Sequence, residues 1–391
     1  MDEKARGIVS SLQSHIARSE AVLVERKGLL ELIFLGLIAQ EHVLLIGPPG
    51  VGKSAAARQA ASHVGGRYFE YLIGRFTEPA EIFGPLDINA LRDGQLRPDV
   101  SGMLPEADIA FLDEIFLGST AILNSLLGVL NERQYRRGHF HVPVPLRCCI
   151  GASNRLPDDS ALQAFADRFL LTHFIAPVSD HGLDALLEAG LRSEATSPAL
   201  PSLTIAEVDY LAELARRVNL ETVRPLYIHV LRKLRNRGVN LSDRRLVKGQ
   251  KCVAAAALVA GRMEAGPEDL WPIIFLIQDK AAQQEMRDLL QEELRASTNA
   301  VFANAAKEAS LGAHAHSQDI QRYGLKLLED KPKLQAGMSW EAWLVRAEAL
   351  LAQIDAGFRK DALPEGLRSL RAALAAICQA GETATGRDAA E

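Results

Sequence analysis

The sequence predicts an α/β protein, with a parallel β-sheet in its first half and helices in its second half. Between residues 42 and 178, short apolar runs alternate with stretches of helical periodicity, as they do in stacked βα units. These apolar runs are continuous, which is typical of strands that a parallel sheet buries on both faces. From about residue 180 the strand signals fade, and helical spacing continues to about residue 380.

The elements follow in order along the chain. Residues 1–40 are predicted to be helical because Ile8, Leu12 and Ile16 are spaced by four and the apolar run LLELIFLGLI follows. The predicted strands are the apolar runs HVLLIG, RYFEYLIG, DIAFLDEI and LRCCIGASN. Two hairpin insertions are predicted as well. One has an Asp93-Gly94 turn between extended flanks in LRDGQLR, and the other turns near Gly138 in RQYRRGHFHVPVP.

The second half carries two apolar stripes that predict packed helices, and their members are Trp343, Leu344, Leu350, Leu351, Ile354 and Phe358, then Leu367, Leu370, Leu374 and Ile377. The aromatic side chains of Trp340, Trp343 and Phe358 either pack inside this helical bundle or form a surface for a partner. The last residues, 381–391, are expected to be a disordered tail.

The composition excludes several classes of protein. Of the 391 residues, 48% are hydrophobic and 24% are charged, which fits a globular protein. The formal net charge of -5 does not attract nucleic acid or an anionic membrane. The four cysteines lack CxxC spacing, so they predict reduced interior residues. No apolar run approaches the length of a membrane span and no signal peptide is evident, so we expect a cytoplasmic protein.

The stretch GPPGVGKS fits the phosphate-binding pattern GxxxxGK[ST], and it lies between a predicted strand and a predicted helix. Its glycines allow backbone N–H groups to face phosphates at the start of the helix. Lys53 is expected to bridge the β- and γ-phosphates of ATP, and the Ser54 hydroxyl to bind Mg²⁺. The predicted nucleotide-binding residues are Gly47, Pro48, Pro49, Gly50, Val51, Gly52, Lys53 and Ser54.

Two acidic residues follow the apolar strand IAFL, about 55 residues after the phosphate loop. In a parallel sheet this end of the strand is where ligands bind. Asp113 is expected to hold the Mg²⁺ shell, and Glu114 to polarise the attacking water. The alternative is an acidic strand end that caps the next helix.

Two further residues complete the predicted site. Asn154 follows the strand CCIGAS, where its amide can bond the γ-phosphate or the water; otherwise it only starts the following turn. Arg168 ends a short helical segment in AFADRF. A guanidinium inserted at the phosphates stabilises the charge of the transition state. The alternative for Arg168 is an ion pair with Asp167.

These motifs, in this order, resemble those of the MoxR family of AAA+ ATPases, and within it those of the RavA-like branch. The resemblance covers roughly residues 20–275, and it is most specific from Phe83 to Phe169. The motifs that carry it are RFTEPAEIFGPLDI, GMLPEADIAFLDEIF, ILNSLLGVLNERQY, GASNRLP, FADRF and SDRRL.

The resemblance implies a fold: a three-layer α/β P-loop AAA+ core with a parallel sheet and two hairpin insertions, then an all-α lid and a C-terminal helical extension. The implied domains are a core with N-terminal helices over residues 1–178, a lid over 179–280 and a helical bundle or extension over 281–380. RavA itself carries a small β-rich domain within its helical bundle, and no strand-rich segment follows residue 276 here.

The resemblance also implies roles. Gly47–Ser54 would be the Walker A loop, Asp113 and Glu114 Walker B, and Asn154 sensor 1. Arg168 would be the finger that one subunit offers to the nucleotide of its neighbour.

Two further arginine assignments are less defined. Arg244 would be the sensor 2 arginine at the start of a lid helix, although Arg245 beside it is an alternative. Arg133 either reaches the site between subunits or pairs with a local acid.

Relatives of this kind assemble as rings, usually hexamers, and work with von Willebrand factor A domain proteins. The resemblance therefore implies a homo-oligomeric, Mg²⁺-dependent ATPase with a chaperone-like action on a protein client. Two alternatives remain. One is a nucleic-acid motor that uses the arginines of the second hairpin, and the acidic net charge disfavours it. The other is a scaffold that assembles on ATP without turnover, and the presence of Glu114 and Arg168 disfavours that one.

Overall fold

The chain forms two compact units. The first consists of Met1–Pro177 and Leu186–Ser310, and the second of Val178–Ala185 and Leu311–Glu391. The computed structural model describes residues 1–19, 23–92, 94–95, 97–179, 182–193, 203–310, 313–332, 338–357 and 365–385.

The strands of the first unit are β1 Val43–Ile46, β2 Val64–Gly65, β3 Tyr68–Leu72, β4 Ile109–Asp113, β5 Gln134–Arg137, β6 Phe140–Pro143, β7 Cys148–Ser153, β8 Leu171–Phe174 and β9 Leu203–Thr204. Five of them form a parallel sheet in the order β3-β4-β7-β1-β8. The four predicted apolar runs are β1, β3, β4 and β7, so the prediction of a parallel α/β core is confirmed. Strand β8 was not predicted, because a four-residue run that contains Thr172 and His173 has no clear strand pattern.

The helices of the first unit are α1 Glu3–Ser19, α2 Lys27–Ala39, α3 Lys53–His63, α4 Pro79–Phe83, α5 Ile88–Arg92, α6 Thr120–Glu132, α7 Ser160–Ala166, α9 Ile205–Ala215, α10 Arg224–Asn236, α11 Asp243–Val259, α12 Lys280–Leu289, α13 Gln291–Leu294 and α14 Ala303–Ser310. Helix α8, Leu183–Ser193, has residues in both units. The helices of the second unit are α15 Ala313–Glu329, α16 Met338–Gly357 and α17 Glu365–Thr385.

The sheet separates two hydrophobic clusters. In β1, Val43 and Leu45 belong to one cluster, together with α2 and α3, whereas Leu44 and Ile46 belong to the other, together with α6. Successive side chains of a strand point to opposite faces, so a strand with both faces covered is apolar throughout. This arrangement gives the three layers of the predicted core.

The two predicted insertions differ in form. The second is an antiparallel hairpin of β5 and β6, with Gly138 at φ 60° in its turn, as predicted. The first is closed by an antiparallel bridge between Leu86 and Pro98. Helix α5 stands there in place of an extended flank, because Asp87 accepts hydrogen bonds from the backbone at the start of the helix. The predicted turn residue Asp93 lies outside the described residues.

The segment after the predicted boundary at residue 280 continues the first unit. Its apolar residues Met286, Leu290, Leu294 and Phe302 lie in the same hydrophobic cluster as α2. The buried Glu31 of α2 accepts hydrogen bonds from the Asn304 Nδ2 and Ala305 N atoms, both at 2.7 Å, and so caps α14. Helices α12 to α14 are therefore integral to this unit.

The second unit is a helical bundle with a core of its own. The Trp340 and Trp343 rings stack with centroids 5.2 Å apart, and both residues are buried. Trp343 Nε1 donates to the Leu327 carbonyl oxygen at 2.7 Å. These contacts support the packing interpretation of the two tryptophans, whereas Phe358 lies outside the described residues.

Helix α17 continues to Thr385, so the first five residues of the predicted tail are helical. Residues 386–391 lie outside the described part of the chain. None of the described helices combines the length and the apolar character needed to cross a bilayer.

Candidate functional site

The loop Gly47–Ser54 connects β1 to α3, as its sequence pattern predicted. Gly47 passes so close to the chain after β8 that a Cβ atom there would lie 2.6 Å from the Ile175 carbonyl oxygen. Gly50 and Gly52 have φ angles of 78° and 84°, a region that favours glycine. The loop thus needs its glycines, and it presents the first N–H groups of α3 to an anion.

Lys53 is the first residue of α3, and its side chain is buried against the loop. Its Nζ atom donates to the Gly47 and Pro48 carbonyl oxygens at 2.6 and 3.0 Å, and to Asn154 Oδ1 at 3.3 Å. All three acceptors are neutral. An anionic phosphate is a stronger partner for an ammonium group than a neutral oxygen is, so this arrangement fits a triphosphate.

Asn154 joins the phosphate loop to the end of β4. Its Nδ2 atom donates to Glu114 Oε1 at 2.7 Å, while its Oδ1 atom accepts from Lys53. Glu114 has a φ angle of 49°, and its N–H bonds Asp113 Oδ1 at 2.9 Å. Four of the predicted site residues are therefore brought together at the carboxyl edge of the sheet.

Two side chains with oxygen atoms that could bind a hard cation lie at the same edge. Ser54 is in the first turn of α3, and Asp113 is the last residue of β4. Both side chains are partly accessible. Hydroxyl and carboxylate oxygens, with several waters, are the usual ligands of Mg²⁺, so the donor set fits this ion.

Arg168 lies at the opposite edge of the sheet. Leu171 of β8 is aligned with Val43 of β1, and Phe174 with Ile46. The phosphate loop follows Ile46, at the carboxyl end of β1, whereas Arg168 precedes Leu171, at the amino end of β8. The backbone of Arg168 is therefore at least one strand length, about 10 Å, from the phosphate loop. The guanidinium of Arg168 cannot serve the phosphate loop of its own chain.

The predicted ion pair of Arg168 is present but long, with Nη1 3.8 Å from Asp167 Oδ2. Within the described residues, its Nε atom is buried and has no hydrogen-bond partner. Burial, followed by the charge of Arg244, lowers the pKa of Arg168. Arg168 and the partly exposed Arg244 therefore both contribute positive charge in this region.

The structure separates Arg244 from Arg245. Arg245 is 2% exposed and donates to the carbonyl oxygens of Leu276, Phe169 and Leu170 at 2.9, 2.7 and 2.6 Å. It fixes α11 to the start of β8. Arg244 is partly exposed and bonds Asn131 Oδ1 at 3.3 Å, so it is the one able to reach a ligand.

Arg133 has a structural role within its own chain. It ends α6 with a φ angle of 54° and donates to the carbonyl oxygens of Leu130 and Gln40, both at 3.0 Å. In the hairpin that follows, Arg136 pairs with Glu132 at 2.7 Å. The ion pair neutralises one of the hairpin arginines on which a nucleic-acid function would depend.

Sequence reasoning missed Arg26. This buried residue donates from Nε to the Val51 carbonyl oxygen in the phosphate loop and from Nη2 to the Ala176 carbonyl oxygen, both at 2.8 Å. Burial lowers its pKa. No local pattern marks such a residue, because its partners are distant in the sequence.

The fold and this site define the chain as a P-loop nucleotide-binding protein. The cluster of Lys53, Glu114 and Asn154 lies at one edge of its parallel sheet, and a pair of arginines lies at the other edge.

Comparison with known proteins agrees with this class. The family model for the MoxR domain in the MoxR-vWA-beta-propeller ternary systems matches residues 10–214. An uncharacterized protein of Methanocaldococcus jannaschii is 36% identical over 67% of this chain and 69% of its own length. The chaperone MoxR1 of Mycobacterium tuberculosis is 28% identical over 41% of this chain and 43% of its own length. The chain belongs to the MoxR family of AAA+ ATPases.

A solved structure supports the fold. The crystal structure of a proposed ATPase from Cytophaga hutchinsonii superposes with a TM-score of 0.61 at 16% identity, over 76% of this chain and 97% of that one. At this identity the likeness concerns the fold alone.

Proposed function

We propose that this chain is a MoxR-type ATPase that hydrolyses ATP in a head-to-tail ring of identical subunits. The observation that carries the proposal is the separation of the site into two halves. Lys53, Glu114 and Asn154 lie at the carboxyl edge of the sheet, and Arg168 lies at the amino edge. A complete site then needs the carboxyl edge of one subunit and the amino edge of the next.

Each residue has a defined task in this proposal. Lys53 leaves its carbonyl partners and neutralises the β- and γ-phosphates. Asn154 holds Glu114 by the 2.7 Å hydrogen bond, and Glu114 orients the attacking water. Ser54 and Asp113 would hold Mg²⁺, which when bound would supply positive charge to neutralise the phosphates.

The arginine pair completes the site from the neighbouring subunit. Arg168 provides a guanidinium for the charge that spreads over the transferred phosphoryl group, and the partly exposed Arg244 adds a second positive charge. An anion placed between two neighbouring cations relieves their mutual repulsion, which favours binding of the neighbour's nucleotide at this edge.

The process that ATP hydrolysis drives is inferred from the family to which the chain belongs. The matched family model describes MoxR domains that act in ternary systems with a vWA protein and a β-propeller, and one relative is named a chaperone. We infer a von Willebrand factor A domain partner and a chaperone-like remodelling of a protein client, with a hexamer as the expected ring and the RavA-like branch as the expected position within the family.

Mixing two inactive variants tests the shared site. Glu114→Gln keeps Arg168 but cannot activate water, and Arg168→Ala keeps Glu114 but offers no finger. Each variant alone is expected to bind ATP and to hydrolyse it poorly. An equal mixture that exchanges subunits should recover about a quarter of the wild-type rate, because half of the sites are intact and half of those have an intact neighbour.

The matched control is a mixture of Glu114→Gln with Lys53→Ala. Both of these changes lie in the same half of the site, so their mixture should stay inactive. Full ATPase activity of Arg168→Ala on its own, or equal recovery of activity in both mixtures, would contradict the hypothesis that two subunits share the site. Light scattering on each mixture confirms that rings have formed.

A further inference from the structure

A cavity of about 240 Å³ lies within the first unit, where the end of α2 meets α9 and α11. The cavity is present because small side chains line the facing sides of these helices. Among them are the buried Ala212, Ala215 and Ala254. Protein interiors contain few voids larger than a water molecule. An open, largely apolar cavity of this size is a candidate site for a small ligand.

The cavity is distinct from the nucleotide site. Gln40 lines it and precedes β1, whereas the phosphate loop follows β1. The cavity is therefore at the amino end of that strand, away from Lys53. Its volume is about that of eight water molecules.

The charged residues that line the cavity are both cationic: Arg216 and Lys251. Arg216 is exposed, and its Nη2 atom contacts the Gln40 side chain at 2.5 Å. Lys251 shares the buried carboxylate of Glu41 with Lys248, each at 2.7 Å, so one anion serves two cations. The mouth of the cavity keeps an excess of positive charge.

We propose that this cavity binds a small amphipathic anion, with an apolar body among the alanine side chains and a carboxylate at Arg216 and Lys251. An apolar body gains free energy when it fills the cavity. A carboxylate accepts charge-assisted hydrogen bonds from guanidinium and ammonium groups. A medium-chain carboxylate of about eight carbon atoms matches both the volume and the charge.

The site lies where a ligand would join three elements. Gln40 and Glu41 form the junction between α2 and β1, Arg216 follows α9, and Lys251 is on α11. A ligand that binds only the folded chain stabilises it by an amount that grows with the ratio of ligand concentration to dissociation constant. Occupancy is therefore expected to raise the thermal midpoint of the first unit.

Calorimetric titration of the full chain with sodium octanoate tests the proposal. Wild-type protein should bind it saturably, with a dissociation constant of about 0.1–1 mM, a range that suits so small a ligand. Filling the cavity with Ala212→Leu or Ala254→Leu should weaken binding at least tenfold. Replacing either cation, in Arg216→Gln or Lys251→Gln, should weaken it by roughly fivefold.

The matched control is Arg217→Gln, a neighbouring exposed arginine that does not line the cavity. It should bind octanoate as the wild type does. The chemical controls are octan-1-ol and octylammonium chloride, which should both bind more weakly than octanoate. The thermal midpoint of each ligand-free variant shows that it is folded.

Three outcomes would overturn the proposal. The first is the absence of saturable binding to wild-type protein. The second is unchanged binding in both cavity-filling variants, which would locate the ligand elsewhere. The third is binding of octylammonium as tight as that of octanoate, which would show that Arg216 and Lys251 do not select for an anion.

Discussion

Arg244 and Arg245 are neighbours in the sequence, but their surroundings are different. Adjacent helical residues point in directions about 100° apart, so one of them faces the interior and the other faces outwards. The guanidinium of Arg245 donates hydrogen bonds to three backbone carbonyl groups, whereas Arg244 donates to the exposed side chain of Asn131. The sequence SDRR cannot distinguish them, because their environment depends on the packing of α11.

Substitution of the two arginines should therefore have opposite consequences. Arg245→Leu leaves three buried carbonyl oxygens without their donor and should lower the free energy of unfolding by about 3 kcal/mol or more. Arg244→Leu should change it by less than about 1 kcal/mol, while it reduces ATP hydrolysis in the assembled form. Urea unfolding and a steady-state ATPase assay measure the two effects.

Arg245→Lys is the companion variant. A lysine keeps the positive charge, but its single ammonium group cannot reproduce the planar fork of donors. We expect it to be destabilised nearly as much as Arg245→Leu. If Arg244→Leu proved to be the destabilised variant, the assignment of the two roles would be reversed.

The site was predictable from the sequence where its signals are local. The phosphate loop and the acidic strand end are short patterns next to strong strands, and the structure has Lys53, Glu114 and Asn154 in hydrogen-bond contact. Arg26 was not predictable, since Val51 and Ala176 are 25 and 150 residues away from it in the sequence. Long-range contacts to backbone atoms leave no residue pattern to recognise.

At the scale of elements, α1 is attached to α3, the helix that follows the phosphate loop. Ser19 Oγ and His63 Nε2 are 2.7 Å apart, and the His15 and His63 rings have centroids 4.9 Å apart. Burial, together with the charges of His15 and Arg18, lowers the pKa of His63 to about 4. Burial in this contact between α1 and α3 therefore favours the neutral imidazole of His63.

This contact predicts a pH dependence of stability. His63 titrates near pH 6.5 in the unfolded chain and near pH 4 in the folded chain, so below pH 6.5 the unfolded state binds the proton more readily. Stability should fall as the pH falls through this window. Between pH 7.5 and pH 5, His63 should account for a loss of about 2 kcal/mol in the free energy of unfolding.

Urea unfolding of wild type and His63→Gln at both pH values measures that share. Glutamine keeps a polar side chain but does not titrate, so the variant should lose less stability between the two pH values. Glu31, whose pKa burial raises to about 7, titrates in both proteins and cancels in the difference. Equal losses in the two proteins would show that His63 does not contribute.

Element types were predictable wherever the pattern was long. The continuous apolar runs identified β1, β3, β4 and β7. The four-residue spacing identified α1, and the apolar run LLELIFLGLI identified α2. The prediction for the first insertion was wrong in one detail. An extended flank was expected, but the Asp87 side chain caps the start of helix α5 there. Such local capping competes with a turn signal only a few residues away, and propensity alone does not decide between them.

At the scale of the molecule, the two units divide the chain in a way that its composition does not reveal. The change to a sequence rich in Ala, Gln and Glu begins near residue 280, but the first unit continues to Ser310. The reason is that α12 to α14 contribute apolar residues to the cluster around α2. A boundary in packing need not coincide with a boundary in composition.

Two truncations follow from this division. A chain that ends at Ser310 should fold and retain nucleotide binding, because the core of the first unit is complete. A chain that ends at Asp279 loses Phe302 and the partners of the buried Glu31, and it should fail to unfold cooperatively. Circular dichroism on heating and binding of a fluorescent ATP analogue compare the two.

The shorter chain with Glu31→Gln is a useful control, since it removes the uncapped buried acid but leaves the apolar core incomplete. It should recover only part of the stability. Cooperative unfolding of the chain that ends at Asp279, at the wild-type midpoint, would show that α12 to α14 are dispensable.

The divided origin of the second unit has a consequence for biosynthesis. Val178–Ala185 is the first part of the second unit to be synthesised. About 125 residues of the first unit follow it before the ribosome makes the rest of the second unit. At roughly 5–20 residues per second, this segment waits on the order of ten seconds for its partners. During that interval the nascent chain can complete one folded body while holding an unfinished part of another, which is the stage at which a chaperone would have most to protect.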